Sequence, residues 1–335
     1  MINIVIQSFG RENEYKRAIL TILSFYTHSS VPADQTRVLL FTDRPEYFSS
    51  YLAGLPVDFI LLTPEKIVEM RGKIDFLHRM KIAVIEEAFN KTEGNIVYAD
   101  SDTFFIADPG YLINQLEPGK SFMHLWEYRF EEMRHLPLPA GKTSLAFLNL
   151  IETKTFYRAN GQELTVTVQD VSWNAGVMMF HPSHQRFLPD VYALTEQFYP
   201  GTMNHASEQY AFSIALQRNT EISSCDKVVY HYWYRVKKQI VDLFLEEKLH
   251  SAWSQKLLDE KLAEVEQWTA KLPRLFITHI LTKRDDAIQA FNDHKLAEGY
   301  RHALQAIIKA PFDKTFLKDV LYHTKKKLIK GQDDD

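Results

Sequence analysis

Two rhythms of apolar residues alternate through the first part of the chain. INIVIQSF, RVLLFTD and VDFILLT are short aliphatic and β-branched runs that predict strands, whereas ENEYKRAILTILSFYTH carries its apolar residues at helical spacing. A further helix is predicted from about Ile74 to Asn90, with Phe76, Leu77, Met80, Val84 and Ala88 on one face, and it runs directly into the strand-like NIVYA. Alternation of this kind predicts an α/β sandwich. From Gln239 onward the strand signals cease. IVDLFLEEKLHSAWSQKLLDEKLAEVEQW has helical spacing and strong helix formers, and Pro273 and Pro311 punctuate the helical region it opens. The expected division is a domain over residues 1–238 and a helical extension over 239–335.

The densest chemistry lies in NIVYADSDTFF, residues 95–105, where an apolar run ends abruptly in Asp100 and Asp102 with Ser101 between them. Strand side chains alternate, so the two carboxylates share a face while Ser101 points away. Beyond the strand end both can reach one hard divalent cation, whose natural use is to hold a diphosphate. Asp is also a common turn residue, and a pair capping the turn after a strand is the plainer reading of an isolated DxD. The preceding helix places the pair at the carboxyl end of an α/β strand, where open sheets bind ligands.

Composition narrows the class. The chain has 335 residues, a formal net charge of −4, 45% hydrophobic and 13% aromatic residues, a profile that suits a globular protein with ample core. Acidic and basic residues are mixed along most of the chain, which argues against a nucleic-acid binder with a concentrated basic face. The single cysteine, Cys225, rules out an intramolecular disulfide and a multi-cysteine metal site, and suits a reducing, cytoplasmic setting. MINIVIQSFG lacks a preceding basic region and a cleavage site and reads as a first strand. Charges interrupt every hydrophobic stretch before it reaches membrane-spanning length.

Three later segments carry further candidate groups. VQDVSWNAGVMMFHP holds Asp170, Trp173, Asn174, Ala175 and Gly176; Gly176 permits close approach of a ligand or backbone, and Asn174 both donates and accepts hydrogen bonds, although a turn into a buried strand explains both. ASEQYAFSIAL predicts a helix with Glu208 and Gln209 near its start, where a carboxylate also suits the helix dipole. KVVYHYWYRVKK is an aromatic strand delivering His231, followed by Arg235, Lys237 and Lys238. Alone, a histidine in such a strand fits core packing as well as ligation, and Arg79 and Lys81 fit a solvated helix face.

Taken in order, these elements resemble a nucleotide-diphosphosugar glycosyltransferase of the GT-A fold, similar to family 8 and related DxD transferases. The resemblance spans roughly Met1 to Lys238. It implies a mixed α/β sheet flanked by helices, with Gln7, Ser8, Phe9, Gly10 and Tyr15 flanking the nucleoside. Arg79, Lys81, Ser101, Asn174, Gly176, Lys237 and Lys238 would serve the donor, and Asp100, Asp102 and His231 the metal. Two carboxylates and one imidazole suit Mn²⁺ better than Mg²⁺. Glu208 and Gln209 match the family's acidic residue and Gln beside the sugar, with Glu here where Asp is usual.

The implied activity is metal-dependent transfer of a sugar, of the hexosyltransferase class, from a nucleotide-diphosphate donor, by resemblance a UDP-sugar, to a hydroxyl of a glycan or lipid-linked acceptor in polysaccharide biosynthesis. Negative charge develops on the departing diphosphate, which a divalent ion and cationic side chains stabilise. An inverting enzyme needs a carboxylate base, and Glu208 or Asp170 is the candidate; in a retaining one Glu208 and Gln209 line the reacting face. Between the DxD strand and WNAG, Trp126, Glu127, Tyr128 and Arg129 are candidates for acceptor contact, with core packing the alternative for Trp126. Two other classes compete: a haloacid-dehalogenase-type phosphatase, whose DxDx[TV] pattern is off by one at Thr103, and a degenerate transferase fold kept as a binding scaffold.

The tail TFLKDVLYHTKKKLIKG is basic and amphipathic. Lys325, Lys326, Lys327 and Lys330 suit either a solvated helix face or peripheral contact with an anionic membrane at its inner face, where a lipid-linked acceptor resides.

Overall fold

The computed structural model describes residues 1–136 and 141–330, with side chains described to Lys325. The chain packs as two compact units. The first comprises Met1–His231 and Leu249–Glu266, the second Tyr232–Lys248 and Gln267 onward.

In chain order the strands are β1 (Ile2–Gln7), β2 (Thr36–Thr42), β3 (Val57–Leu61), β4 (Asn95–Ala99), β5 (Thr103–Phe105), β6 (Lys120–Met123) and β7 (Trp126–Arg129). They continue with the short hairpin β8 (Phe156–Tyr157) and β9 (Glu163–Leu164), then β10 (Val171–Trp173), β11 (Val177–Phe180), β12 (Glu221–Ser224) and β13 (Val229–His231). Helices of the first unit are α1 (Glu12–His28), α2 (Pro45–Phe48), α3 (Pro64–Arg71), α4 (Arg79–Lys91), α5 (Gly110–Ile113), α6 (Gly141–Thr153), α7 (Leu188–Thr202) and α8 (Ser207–Gln217).

A seven-stranded sheet in the order β12-β6-β11-β4-β1-β2-β3 forms the spine. β4, β1, β2 and β3 are parallel, as their connecting helices require, and β11 runs antiparallel between β4 and β6. The central strands are buried on both faces. β1 therefore reads as a continuous aliphatic run, whereas the edge strand β3 is largely exposed. The mixed sheet flanked by helices, with helices alone after Ser224 apart from β13, is the class expected from the sequence.

The helix expected from Ile74 begins instead at Arg79. Gly72 and Asp75 both have positive φ, so the chain turns before α4, and Phe76 reaches the core by stacking on Tyr199 at 3.9 Å between ring centroids. β6, absent from the expected strands, holds Phe122 and Met123 buried between β11 and β12.

The segment Leu249–Glu266 holds α10 (Ser251–Ser254) and the first turns of α11 (Leu258–Thr278). It packs on the first unit through Trp253, whose ring stacks on Tyr51, and Lys261, which donates to Ser50 O at 2.7 Å. The second unit contains α9 (Arg235–Lys248), the rest of α11, α12 (Ile280–Asn292), α13 (Leu296–Lys309) and α14 (Lys314–Lys330). Ala287, Phe291, Ala303, Ala306 and Phe316 make its core. Among the described residues no helix is long and apolar enough to cross a membrane. Lys325 is exposed; the side chains of Lys326, Lys327 and Lys330 lie outside the described ones.

Candidate metal centre

β4 ends at Ala99, and the chain turns through Asp100, Ser101 and Asp102 before β5. The turn is fixed from both sides. Asp100 N–H donates to Gly176 O at 2.8 Å, and Thr103 Oγ1 donates to Asp100 O at 2.9 Å. From α1, the Thr21 hydroxyl reaches Thr103 O at 2.8 Å and Ser101 O at 3.0 Å, and Ser24 Oγ accepts from Phe105 N–H. Ser101 Oγ donates to Glu14 Oε2 at 2.7 Å.

His231 arrives by strand pairing. β13 lies antiparallel to β5 with His231 opposite Thr103, which sets the imidazole beside Asp102, Nε2 to Oδ1 being 3.4 Å. One donor atom each from Asp100, Asp102 and His231 lies within 4.8 Å of the others. Gly176 makes the ring's position possible: a Cβ there would collide with Cε1 and Nδ1 of His231. The close approach that Gly176 allows is thus by a side chain of the chain itself, where the sequence suggested a ligand or backbone.

The ring is also oriented. Asn174 Oδ1 accepts from Gly176 N–H at 3.0 Å and lies 2.8 Å from His231 Nδ1. Because a backbone N–H can only donate, the atom facing it is the oxygen. The oxygen in turn requires a proton on Nδ1, which leaves Nε2 as the ring nitrogen that faces Asp102. Asn174, expected to serve the donor, spends its carbonyl on this contact.

Lys81, on α4, is buried rather than solvated. Its Nζ lies 3.2 Å from Asp100 Oδ2 and 3.3 Å from Glu208 Oε1, and donates to Ala175 O at 3.1 Å. Burial opposes the charged ammonium, but Asp100 and Glu208 outweigh it and the pKa is raised. Tyr98 OH donates to Asp100 Oδ1 at 2.6 Å, and burial followed by the Asp100 charge pushes its phenol well up. Glu208, in the first turn of α8, is only 3% exposed, and its Oε2 has no hydrogen-bond partner among the described residues. A buried carboxylate oxygen without a donor is costly unless something else supplies one.

The other expected site residues divide. Gln209 adjoins the centre, accepting from Ala175 N–H at 3.2 Å and donating to Glu127 and Ser172. Ser8 is buried at the carboxyl end of β1 with Oγ unpartnered among the described residues, and Phe9 packs against the core. Arg79 is turned elsewhere: it pairs with Glu196 at 2.9 Å, donates to Met70 O at 2.8 Å and stacks over Tyr192, tying α4 to α7 and the end of α3. Asp170 is engaged by Arg218 and by Thr167 N–H, an arrangement that braces the turn before β10. Lys237 and Lys238 belong to α9 in the second unit, where Lys237 lies over the rings of Tyr234 and Phe276.

Two residues of the centre escaped the sequence as site residues in this role. Glu127, considered for an acceptor, accepts from Ser172, Asn174 and Gln209, while its neighbour Trp126 is 46% exposed and not core. His124 packs edge-on against His231 and donates Nε2–H to Val229 O at 3.1 Å; burial first, then His231, lowers its pKa to about 4 and keeps it neutral.

Two carboxylates and an imidazole whose tautomer is fixed suit a divalent first-row cation, and the orphaned Glu208 oxygen marks a polar group awaiting a partner at the same place. The arrangement gathers carboxylates at the carboxyl edge of the parallel strands, where a divalent cation would be held.

No protein-family model matches the chain, and no curated protein matches it. Among solved structures the chain is similar to mouse xyloside xylosyltransferase 1 in its apo form, at 11% identity and a TM-score of 0.42, over 67% of this chain and 86% of that one.

Proposed function

We propose that the protein is a divalent-metal-dependent glycosyltransferase of the GT-A fold that takes a sugar from a nucleotide-diphosphate donor, most naturally a UDP-sugar, to a hydroxyl of a glycan or lipid-linked acceptor. The observation that supports this best is the convergence of Asp100, Asp102 and His231 within 4.8 Å of one another at the carboxyl end of a central sheet strand. These three would hold Mn²⁺ or Mg²⁺. When bound, such an ion would supply positive charge against the departing diphosphate.

The chain's own groups complete the reading. Lys81, kept protonated by Asp100 and Glu208, holds the Asp100 carboxylate in place and balances the buried negative charge around it. Glu208 Oε2 is the acceptor aimed at a hydroxyl of donor or acceptor, and Gln209 holds the Ala175 backbone beside it. Ser8, Phe9 and Ser101 flank the donor, and Asn174 and Gly176 set the imidazole; Lys237 and Lys238, which the resemblance gives to the diphosphate, belong to the second unit and enter this reading by resemblance alone. Asp170, braced by Arg218, is the weaker candidate for a base than Glu208.

A thermal-shift titration with Mn²⁺ and UDP, separately and together, tests this on the native chain and on Asp102→Ala. A UDP shift that requires Mn²⁺ and is lost in the variant is expected. Silence toward UDP, GDP and CDP with the metal present would falsify the donor assignment.

A further inference from the structure

We infer that Glu127 is a positioning residue for His231, acting through Asn174, and not an acceptor contact. The inference rests on the reading of Asp100, Asp102 and His231 as a metal centre. It starts from hydrogen-bond direction. Glu127 Oε1 receives Asn174 Nδ2–H at 3.0 Å, and Oε2 receives Gln209 Nε2–H at 2.8 Å and the Ser172 hydroxyl at 3.0 Å. At the far ends of the two amides stand backbone groups that can only donate: Gly176 N–H to Asn174 Oδ1 at 3.0 Å and Ala175 N–H to Gln209 Oε1 at 3.2 Å.

The chain of bonds therefore has one consistent polarity. A donor-only amide fixes each carbonyl oxygen, each side-chain NH₂ must then point at residue 127, and only a group that accepts with both oxygens satisfies them together. The last link is His231, whose Nδ1 faces the Asn174 oxygen at 2.8 Å and so carries the proton. Strand pairing delivers the parts: β7, which bears Glu127, lies antiparallel to β10, which bears Ser172 and leads into Asn174, with a register irregularity between Ser172 and Trp173.

Glu127→Gln keeps size and shape but replaces one accepting oxygen with a donating NH₂. Whichever way the new amide turns, it confronts either Asn174 Nδ2 or Gln209 Nε2 with a second donor. Relief requires one of those amides to turn over against its backbone N–H. Asn174 is the amide that gains by turning, because its NH₂ then finds an acceptor in His231 Nδ1; the imidazole proton moves to Nε2, the atom that faces Asp102.

The experiment is ¹⁵N NMR of the imidazole nitrogens in the metal-free, full-length protein, with His231 assigned by comparison with His231→Gln, followed by Mn²⁺ titration. Recorded at a pH where the ring carries a single proton, wild type is expected to hold it on Nδ1. Glu127→Gln should show Nε2–H at His231 and bind Mn²⁺ about 10–100-fold more weakly. An Nε2–H tautomer in wild type, measurable whether or not the variant folds, overturns the inference, as does a folded Glu127→Gln with tautomer and Mn²⁺ affinity unchanged. Wild type that has the Nδ1–H tautomer but binds no Mn²⁺ overturns the metal reading while leaving the hydrogen-bond polarity standing.

Discussion

Gly176 and His231 share one space: the imidazole occupies the volume in which any side chain at 176 would begin. Gly176 also accepts Asp100 N–H through its carbonyl and donates its own N–H to Asn174, so one residue meets both sides of the candidate centre.

Gly176→Ala should therefore displace the imidazole while leaving the sheet intact. Overpacking of this kind costs about 1–3 kcal/mol, and the loss of a correctly placed nitrogen should weaken Mn²⁺ binding by about 10–100-fold. Calorimetric Mn²⁺ titration beside a urea melt separates the two effects. Unchanged Mn²⁺ affinity in the folded variant would remove His231 from the ligand set.

Lys81→Met should be among the most destabilising single changes in the first unit. It leaves the buried Glu208 and the partly exposed Asp100 without their shared cation, and breaking a buried pair by removing one partner costs about 3–5 kcal/mol. Adding Glu208→Gln to Lys81→Met should recover part of that loss, because one of the stranded charges is then gone. Urea midpoints of the single and double variants read this directly, and a single variant as stable as wild type would contradict the charge arrangement.

His184 makes stability depend on acid. Burial, only partly offset by the Pro118 carbonyl, lowers its pKa from 6.5 to about 4, so the folded state resists a proton that the unfolded state binds. The neutral ring's contribution is complete above about pH 6.5 and is lost as pH falls toward 4, on the order of 3 kcal/mol at full effect. His184→Gln retains a donor and an acceptor and should flatten the slope of unfolding free energy against pH across that window. An identical slope in the variant would assign the acid sensitivity elsewhere.

Cys225 is fully buried, and burial together with Asp226 pushes its thiol well up. A disulfide reagent should titrate no thiol in the native protein and one in denaturant, since thiolate character and access are both withheld. Rapid native labelling would show local opening near β12.

Much of the scaffold was legible in the residues themselves. β1 and β2 announce themselves as aliphatic runs because both faces are buried, and α1 coincides with the expected Glu12–His28 because its apolar side is continuous. The start of α4 was not legible: the positive φ at Asp75 and the stacking of Phe76 on Tyr199 are tertiary outcomes that helical spacing cannot register. Asp100 and Asp102 stood out because carboxylates ending an apolar strand break its pattern. His231 joined them only through resemblance, since the β5–β13 ladder that sets it beside Asp102 has three residues per strand and little periodic signal. Lys81 and Arg79 look alike in sequence, yet one is aimed at Asp100 and the other at Glu196, a difference fixed by helix rotation. Glu127 was visible as a residue but not as a junction, because its role depends on which way two amides face.

The β5–β13 ladder has a consequence for how the protein is made. The aspartates are synthesised early and the histidine late, and the two meet only after the intervening strands and helices have closed the loop between them. Nascent chains that stop short of Val229 can assemble the parallel strands β1 to β4, but they carry two donors without the third. Acquisition of the complete ion site thus waits for the last strand of the first unit, so that ion affinity would report, in a refolding or translation-arrest series, the moment at which β13 joins β5.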